Sequence, residues 1–341
     1  MQNNPVTPRD ILAAGTDLPV IVAPMFLIST PDLVVAACKE GMIGSLPAAS
    51  QWTSAGFDGW LTDISARLDA LRQSGQKPAP YAINLGFRKI TPRLEADVDL
   101  CVKHKVPVIL ASGDIPAEMV KKIHAYGGIV LQDVASADEA KRAVKNGVDG
   151  VIAVTAGAGG QGSSMNPLAL LGEIRQFFDG VVALAGCVTT GQDILAAKAM
   201  GADMAVMGTR FICTQESAAE PEYKEMIKKA TADDIIHTSA ISGYPANFLK
   251  DSILAAGFDA AKLKKEGAGA DRIQPPPGEA SKAWKTVWSA GQGSGGIHDI
   301  PTVAALTQKL AQEYADAENA LLKKLGYAPR PQSPKPSGPK P

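Results

Sequence analysis

Residues 179–217, DGVVALAGCVTTGQDILAAKAMGADMAVMGTRFICTQES, hold two short apolar runs separated by a helical segment, and each run ends on a glycine. The first run, 181–185, meets Gly186; the second, 204–207, meets Gly208 and Thr209. A β-rich run, a glycine turn and a helix start place backbone N–H groups at the carboxyl end of a parallel sheet, an arrangement that receives a phosphate. Two such units in succession belong after the seventh and eighth strands of a (β/α)8 barrel. The chain before residue 179 must then supply six more strands.

It does so at a regular spacing. The candidate strands are residues 19–25 (PVIVAPM), 42–46 (MIGSL), 81–85 (YAINL), 106–111 (VPVILA), 129–132 (IVLQ) and 150–154 (GVIAV). Helical segments lie between them; over residues 59–73, for example, Leu61, Ile64, Leu68 and Leu71 recur at helical spacing. The expected fold class is therefore α/β, a TIM barrel. The rival, an open doubly wound sheet, lacks its glycine fingerprint, because the first turn is Pro24-Met25-Phe26. With 45% hydrophobic but only 5% aromatic residues, the core must be aliphatic, as in a buried parallel sheet.

Three segments are expected: the barrel over residues 1–215, an appended mostly helical region over 216–328 packing on the barrel's C-terminal face, and a disordered tail over 329–341. The strand pattern stops after Ser217. Residues 222–230 and 302–325 read as helices, with the loop-like DRIQPPPGEA and WSAGQGSGGIHDIP between them, the second returning to the barrel mouth.

Charge and cysteine usage narrow the function classes. With 34 basic against 35 acidic residues and no long basic cluster, nucleic acid and anionic membrane are poor partners. No apolar run approaches the ~20 residues that span a bilayer, and the start of the chain lacks a secretory pattern. Cys38, Cys101, Cys187 and Cys213 show no metal-ligand spacing, so a reduced cytoplasm without bound metal is expected.

The strand ends assemble a plane of candidate ligands. Met25 follows the first strand, Asn84 the third, Gln132 the fifth, and the glycine-dense 157–164 (GAGGQGSS) the sixth. Backbone so permissive can lie flat against a planar ring or an anion. Amides can satisfy a ring's carbonyls and nitrogens, and Met25 offers polarizable contact. A phosphate at one end and a flat ring over the barrel axis describe flavin mononucleotide, FMN.

Together, APM at 23–25, INLGF at 83–87, AGAGGQG at 156–162, the Gly186 turn, MGTRF at 207–211 followed by TQES, and WSAGQG at 288–293 resemble the nitronate monooxygenases, formerly 2-nitropropane dioxygenases. Flavin-dependent enoyl-acyl-carrier-protein reductases and quinone reductases are related. The resemblance implies non-covalent FMN, a small-molecule substrate and O₂, with NAD(P)H as an alternative electron donor and a homodimer left open. It also implies a ligand set of Ala23, Pro24, Met25, Asn84, Gln132, Ala158, Gly159, Gly160, Gly186, Cys187, Met207, Gly208, Thr209 and Gln292.

One departure bears on catalysis. Many members of that family place a histidine after the paired glycines of the strand-six loop; here the position is Gln161, which cannot act as a general base. His104 and His124 fall on barrel helices, while His237 and His298 fall in the C-terminal part, from which either could reach the mouth. Three functions follow: an FMN-dependent monooxygenase converting alkyl nitronates to carbonyl compound and nitrite, an NAD(P)H-dependent quinone or enoyl-thioester reductase, or a flavin-binding protein without the family activity.

Overall fold

Val20–Val22 (β1), Ser45–Pro47 (β2), Ala82–Gly86 (β3), Val108–Ser112 (β4), Ile129–Val134 (β5), Gly150–Val154 (β6), Val181–Ala185 (β8) and Met204–Met207 (β9) form one parallel sheet, while Gly160–Gln161 (β7) lies outside it. The computed structural model describes residues 6–259, 263 and 286–328. The strand order is β1-β9-β8-β6-β5-β4-β3-β2. Closure comes between β1 and the residues before β2: Ile21 bridges Ile43, the Val22 N–H donates to the Ile43 carbonyl at 2.9 Å, and the Ile43 N–H donates to that of Val20 at 3.0 Å. The ring with its intervening helices is the (β/α)8 barrel expected from the βα count. The second strand begins furthest from its expected start, at Ser45 rather than Met42. Just before it, Gly44 lies so close to the chain at Val34 that a Cβ there would stand 2.3 Å from the Val34 carbonyl oxygen.

The side-chain alternation of the strands separates two aliphatic layers. Ile21, Ala82, Leu110, Leu131, Ile152 and Ala183 pack along the barrel axis, while Val20, Ile83, Ile109, Val130, Val151 and Val182 face the helices. The helix Pro8–Ala13, started by a Thr7–Asp10 capping box, adds Leu12 to the axial cluster.

The region after Ser217 adds two strands to the expected helices. These are Ile235–Thr238 (β10) and Ala246–Leu249 (β11), which pair antiparallel with each other. β11 also pairs with β7, aligning Ala246 with Gln161 and Asn247 with Gly160. These strands are too short, and β7 too rich in glycine, to leave an alternating pattern in the sequence. The helix Val303–Lys324 packs on the barrel's flank, against the helices Gly191–Ala199 and Pro31–Lys39. Buried Arg210 ties barrel to C-terminal region by pairing with the Asp299 carboxylate at 2.5 Å. The expected loop at 271–280 and the expected tail at 329–341 lie outside the described residues. Among the described residues no helix is long and apolar enough to cross a membrane.

Candidate active site

A cavity of about 800 Å³ opens at the carboxyl ends of the strands. One wall is backbone. Gly186 takes φ 143°, and a Cβ there would stand 2.3 Å from Thr155 Oγ1. A Cβ on Gly159 would stand 2.9 Å from both the Gly291 nitrogen and Thr209 Oγ1. Three segments converge at this wall. The Gly291 N–H donates to Thr209 Oγ1 at 2.9 Å, and the Gln292 N–H donates to the Gly157 carbonyl at 2.9 Å. Residues 288–293 therefore stand beside the glycine loop. Thr209, accepting from Gly291, keeps its own hydroxyl proton for a ligand.

The opposite wall is built of side chains. Asn84 donates through Nδ2 to the Leu110 carbonyl at 3.0 Å and to Ser112 Oγ at 2.9 Å, which leaves Oδ1 as its acceptor. Ser112 in turn donates to Asp133 Oδ2 at 2.6 Å. Burial pushes the Asp133 carboxyl up to about 6, against the opposing pull of the Ser112 hydrogen bond and the Arg88 charge. Arg88 donates from Nη2 to Gln161 Oε1 at 2.5 Å and lies 4.1 Å from the centre of the Tyr244 ring.

The cavity lining includes Ala23, Pro24, Met25, Asn84, Ala158, Gly159, Gly160, Gln161, Gly186, Cys187, Gly208 and Thr209 from the expected set. Three expected ligands stand off it. Gln132 is buried on the helix side of the sheet, where its Oε1 accepts from the Ile115 N–H at 3.2 Å and its Nε2 donates to Asp114 at 3.2 Å. Met207 points into the core around the barrel, and its carbonyl accepts from the Ala23 N–H, just past the neighbouring strand β1, at 3.0 Å. Gln292 is not part of the lining but meets the glycine loop behind it, through the N–H given to the Gly157 carbonyl and through its Oε1, 2.9 Å from where a Cβ on Gly157 would stand.

The reason for Gln132 is strand parity: Leu131 belongs to the axial layer, so Asp133, two residues on, faces the cavity and Gln132 cannot. Counting from Leu131 would have found Asp133. The same count from Leu110 would have found Ser112, whereas Arg88 lies beyond the end of its strand and carries no such periodic signal.

None of the four histidines lines the cavity. His104 meets Asp58 at 2.6 Å, and His124 meets Asp149 at 2.8 Å. His237 Nδ1 lies 3.0 Å from Asn247 Oδ1, and Asn247 Nδ2 donates to the Ala158 carbonyl at 2.7 Å, so this histidine braces the glycine loop at one remove. At the mouth, desolvation raises the Cys187 thiol, and the Asp193 charge adds to the rise. It therefore stays protonated near neutral pH. No cluster of three potential metal ligands occurs among the described residues.

The family model described as nitronate monooxygenase matches residues 62–313. A relative from Rhodococcus jostii, "(3aS,4S,5R,7aS)-5-hydroxy-7a-methyl-1-oxo-octahydro-1H-indene-4-carboxyl-CoA dehydrogenase", is 25% identical over 240 residues, 70% of this chain and 65% of the relative. The chain thus spans just under two thirds of that protein. A "Probable nitronate monooxygenase" of Staphylococcus aureus is 29% identical over 261 residues, 67% of this chain and 74% of the relative. Among solved structures, a nitroalkane oxidase from Streptomyces ansochromogenes superposes with a TM-score of 0.72 at 24% identity, covering 90% of this chain and 98% of its own. That last likeness establishes the fold.

Proposed function

Because the chain belongs to the nitronate monooxygenase family, an enzyme family of flavoproteins, we propose that it is an FMN-dependent oxidoreductase oxidising alkyl nitronates with O₂ to a carbonyl compound and nitrite. The residues fit the cofactor. The glycine turns at Gly186 and Gly208, with the Thr209 hydroxyl, would hold the phosphate; the backbone of 157–160, Met25 and the free Oδ1 of Asn84 would border the ring. Side chains at Gly159 or Gly186 would meet the neighbouring chain, so this wall admits a ligand only while it stays bare. When bound, FMN supplies the acceptor for the substrate's electrons.

The observation that carries the nitronate reading is the state of Gln161. Its Oε1 accepts from Arg88, so its two N–H groups turn away from that residue and are available to a substrate, and none of the four histidines lines the cavity to remove a carbon proton. A nitronate has already lost that proton, and its anionic oxygens need donors. Nitrite release from an alkyl nitronate by the FMN-loaded protein is the test; no nitrite from a fully flavinated sample overturns the reading.

A second reading, an NAD(P)H-dependent reductase of a quinone or enoyl thioester, draws support from the Rhodococcus relative, which is named as a carboxyl-CoA dehydrogenase. Anaerobic bleaching of the flavin by NADH or NADPH separates the two.

A further inference from the structure

We propose that Arg88, held in place by Gln161 and Tyr244, forms an oxyanion seat, separate from the phosphate wall, that binds a carboxylate or phosphate group carried by the substrate itself. The inference rests on the reading of the cavity as the site of an FMN-dependent oxidoreductase and adds a demand on the substrate.

Arg88 lines the cavity and, among the described residues, makes one hydrogen bond, to Gln161, and no ion pair. A guanidinium carries five N–H donors, so most of its hydrogen-bonding capacity is unspent. The Tyr244 ring against it, 4.1 Å from centroid to Cζ, holds the planar group without consuming a donor. Because a guanidinium can only donate, the amide facing it must present Oε1. The orientation of Gln161 is thereby fixed, and its two N–H bonds turn away from Arg88.

The backbone beneath is equally constrained. Gln161 sits on β7, paired to Ala246 of β11, and Asn247 of that strand holds the Ala158 carbonyl at 2.7 Å. Arg88 thus offers donors alone, and Lys89 also lines the cavity. Two carboxylates share the lining: Asp97 is paired with Arg93 at 2.7 Å, and Asp133 is close enough to feel Arg88 but makes no ion pair with it, its own hydrogen bond being to Ser112. Donor-only groups around an unpaired cation call for an anionic, planar or tetrahedral oxygen group, bound in charge-assisted hydrogen bonds. The FMN phosphate belongs to the glycine turns of β8 and β9, so this anion comes with the substrate.

The test is equilibrium titration of the full-length, FMN-loaded protein, followed by flavin absorbance, with butyrate, its neutral isostere butyramide, and inorganic pyrophosphate. Butyrate is expected to bind roughly tenfold or more tighter than butyramide. R88Q should erase that preference, and R88K, which keeps the charge but loses the fork, should keep part of it. Pyrophosphate competing with butyrate in wild type but not in R88Q assigns the seat to a phosphate-bearing substrate; butyrate binding alone assigns it to a carboxylate.

Equal affinity for butyrate and butyramide in the wild-type protein overturns the proposal, as does an undiminished preference in flavin-loaded R88Q. If R88Q does not hold flavin, Y244A decides: a weakened preference supports the seat and an unchanged one overturns it. Absence of nitrite release with the butyrate preference intact would fail the nitronate reading and leave the seat standing. Nitrite release without the preference would do the reverse.

Discussion

The two walls of the cavity are made of different material. The wall after β8 and β9 is backbone, shaped by Gly186, Gly208 and the 157–160 loop, and it works by having no side chains. The wall from β3 to β5 is side chain, with Asn84, Ser112 and Asp133 joined in one hydrogen-bond chain and Arg88 locked on Gln161. A backbone wall fits a phosphate and a flat ring, the two parts of the proposed cofactor. A side-chain wall is where one chain's chemistry can depart from its relatives without disturbing the cofactor.

Substitution at Gln161 sharpens that contrast most. Gln161→His should raise activity on neutral nitroalkanes by roughly 10²–10⁴-fold, the usual contribution of a positioned general base. The gain on preformed nitronates should be far smaller, since no carbon proton remains. The neighbouring Arg88 charge would hold the imidazole below its ordinary value of about 6.5, so the new activity should rise with pH to a plateau below neutrality. Initial rates on both substrates across pH check this; equal changes on the two would show that Gln161 does not stand beside the reacting carbon.

The backbone wall should break in a different way. At Gly186, with φ 143° and Thr155 Oγ1 in the place of a Cβ, Gly186→Val should weaken FMN binding by roughly 10- to 100-fold through strain and collision. Saturating FMN should restore much of the turnover, because the side-chain wall is untouched. Flavin titration followed by fluorescence measures the affinity. Wild-type affinity in this variant would mean that the phosphate is held elsewhere.

Asp133 tests the side-chain wall through stability. Burial raises its folded pKa to about 6, above the unfolded value of about 3.9, so the folded state binds the proton more tightly. Native stability is therefore lost as pH rises between these values, and the loss is complete above about 6. Asp133→Asn should remove that slope and leave the apo-protein more stable at pH 8 by on the order of 2 kcal/mol, a figure reduced for water in the mouth. Urea unfolding at pH 4.5 and pH 8 reads it out. An unchanged slope would place the carboxylate in a wetter site.

The barrel and the backbone wall were legible because both leave marks along the chain. Apolar runs at βα spacing report buried strands, and glycines at strand ends report close approach. The side-chain wall left few marks. Arg88 reads as one more surface cation until the fold brings β7 across to it, and β7 exists only because residues 246–247 supply a partner from far along the chain. Gln132 is a case of another kind, since a strand end assigned correctly to within a residue still sends alternate side chains to opposite faces.

Gln132 therefore supplies the smallest effect and the cleanest control on the comparison. Its amide lies on the helix side of β5, satisfied by the Ile115 N–H and Asp114, while its neighbour Asp133 faces the cavity. Gln132→Leu removes two hydrogen bonds and leaves the Ile115 N–H unpaired, which should cost about 1–2 kcal/mol of stability. FMN affinity and the bound-flavin absorbance spectrum should stay at their wild-type values, because no atom of the side chain reaches the ligand. Asp133→Asn, one residue away, should shift that spectrum by changing the charge on the cavity wall. If Gln132→Leu perturbs the flavin as much as Asp133→Asn does, the parity assigned to β5 is wrong, and the amide read from the sequence belongs in the site after all.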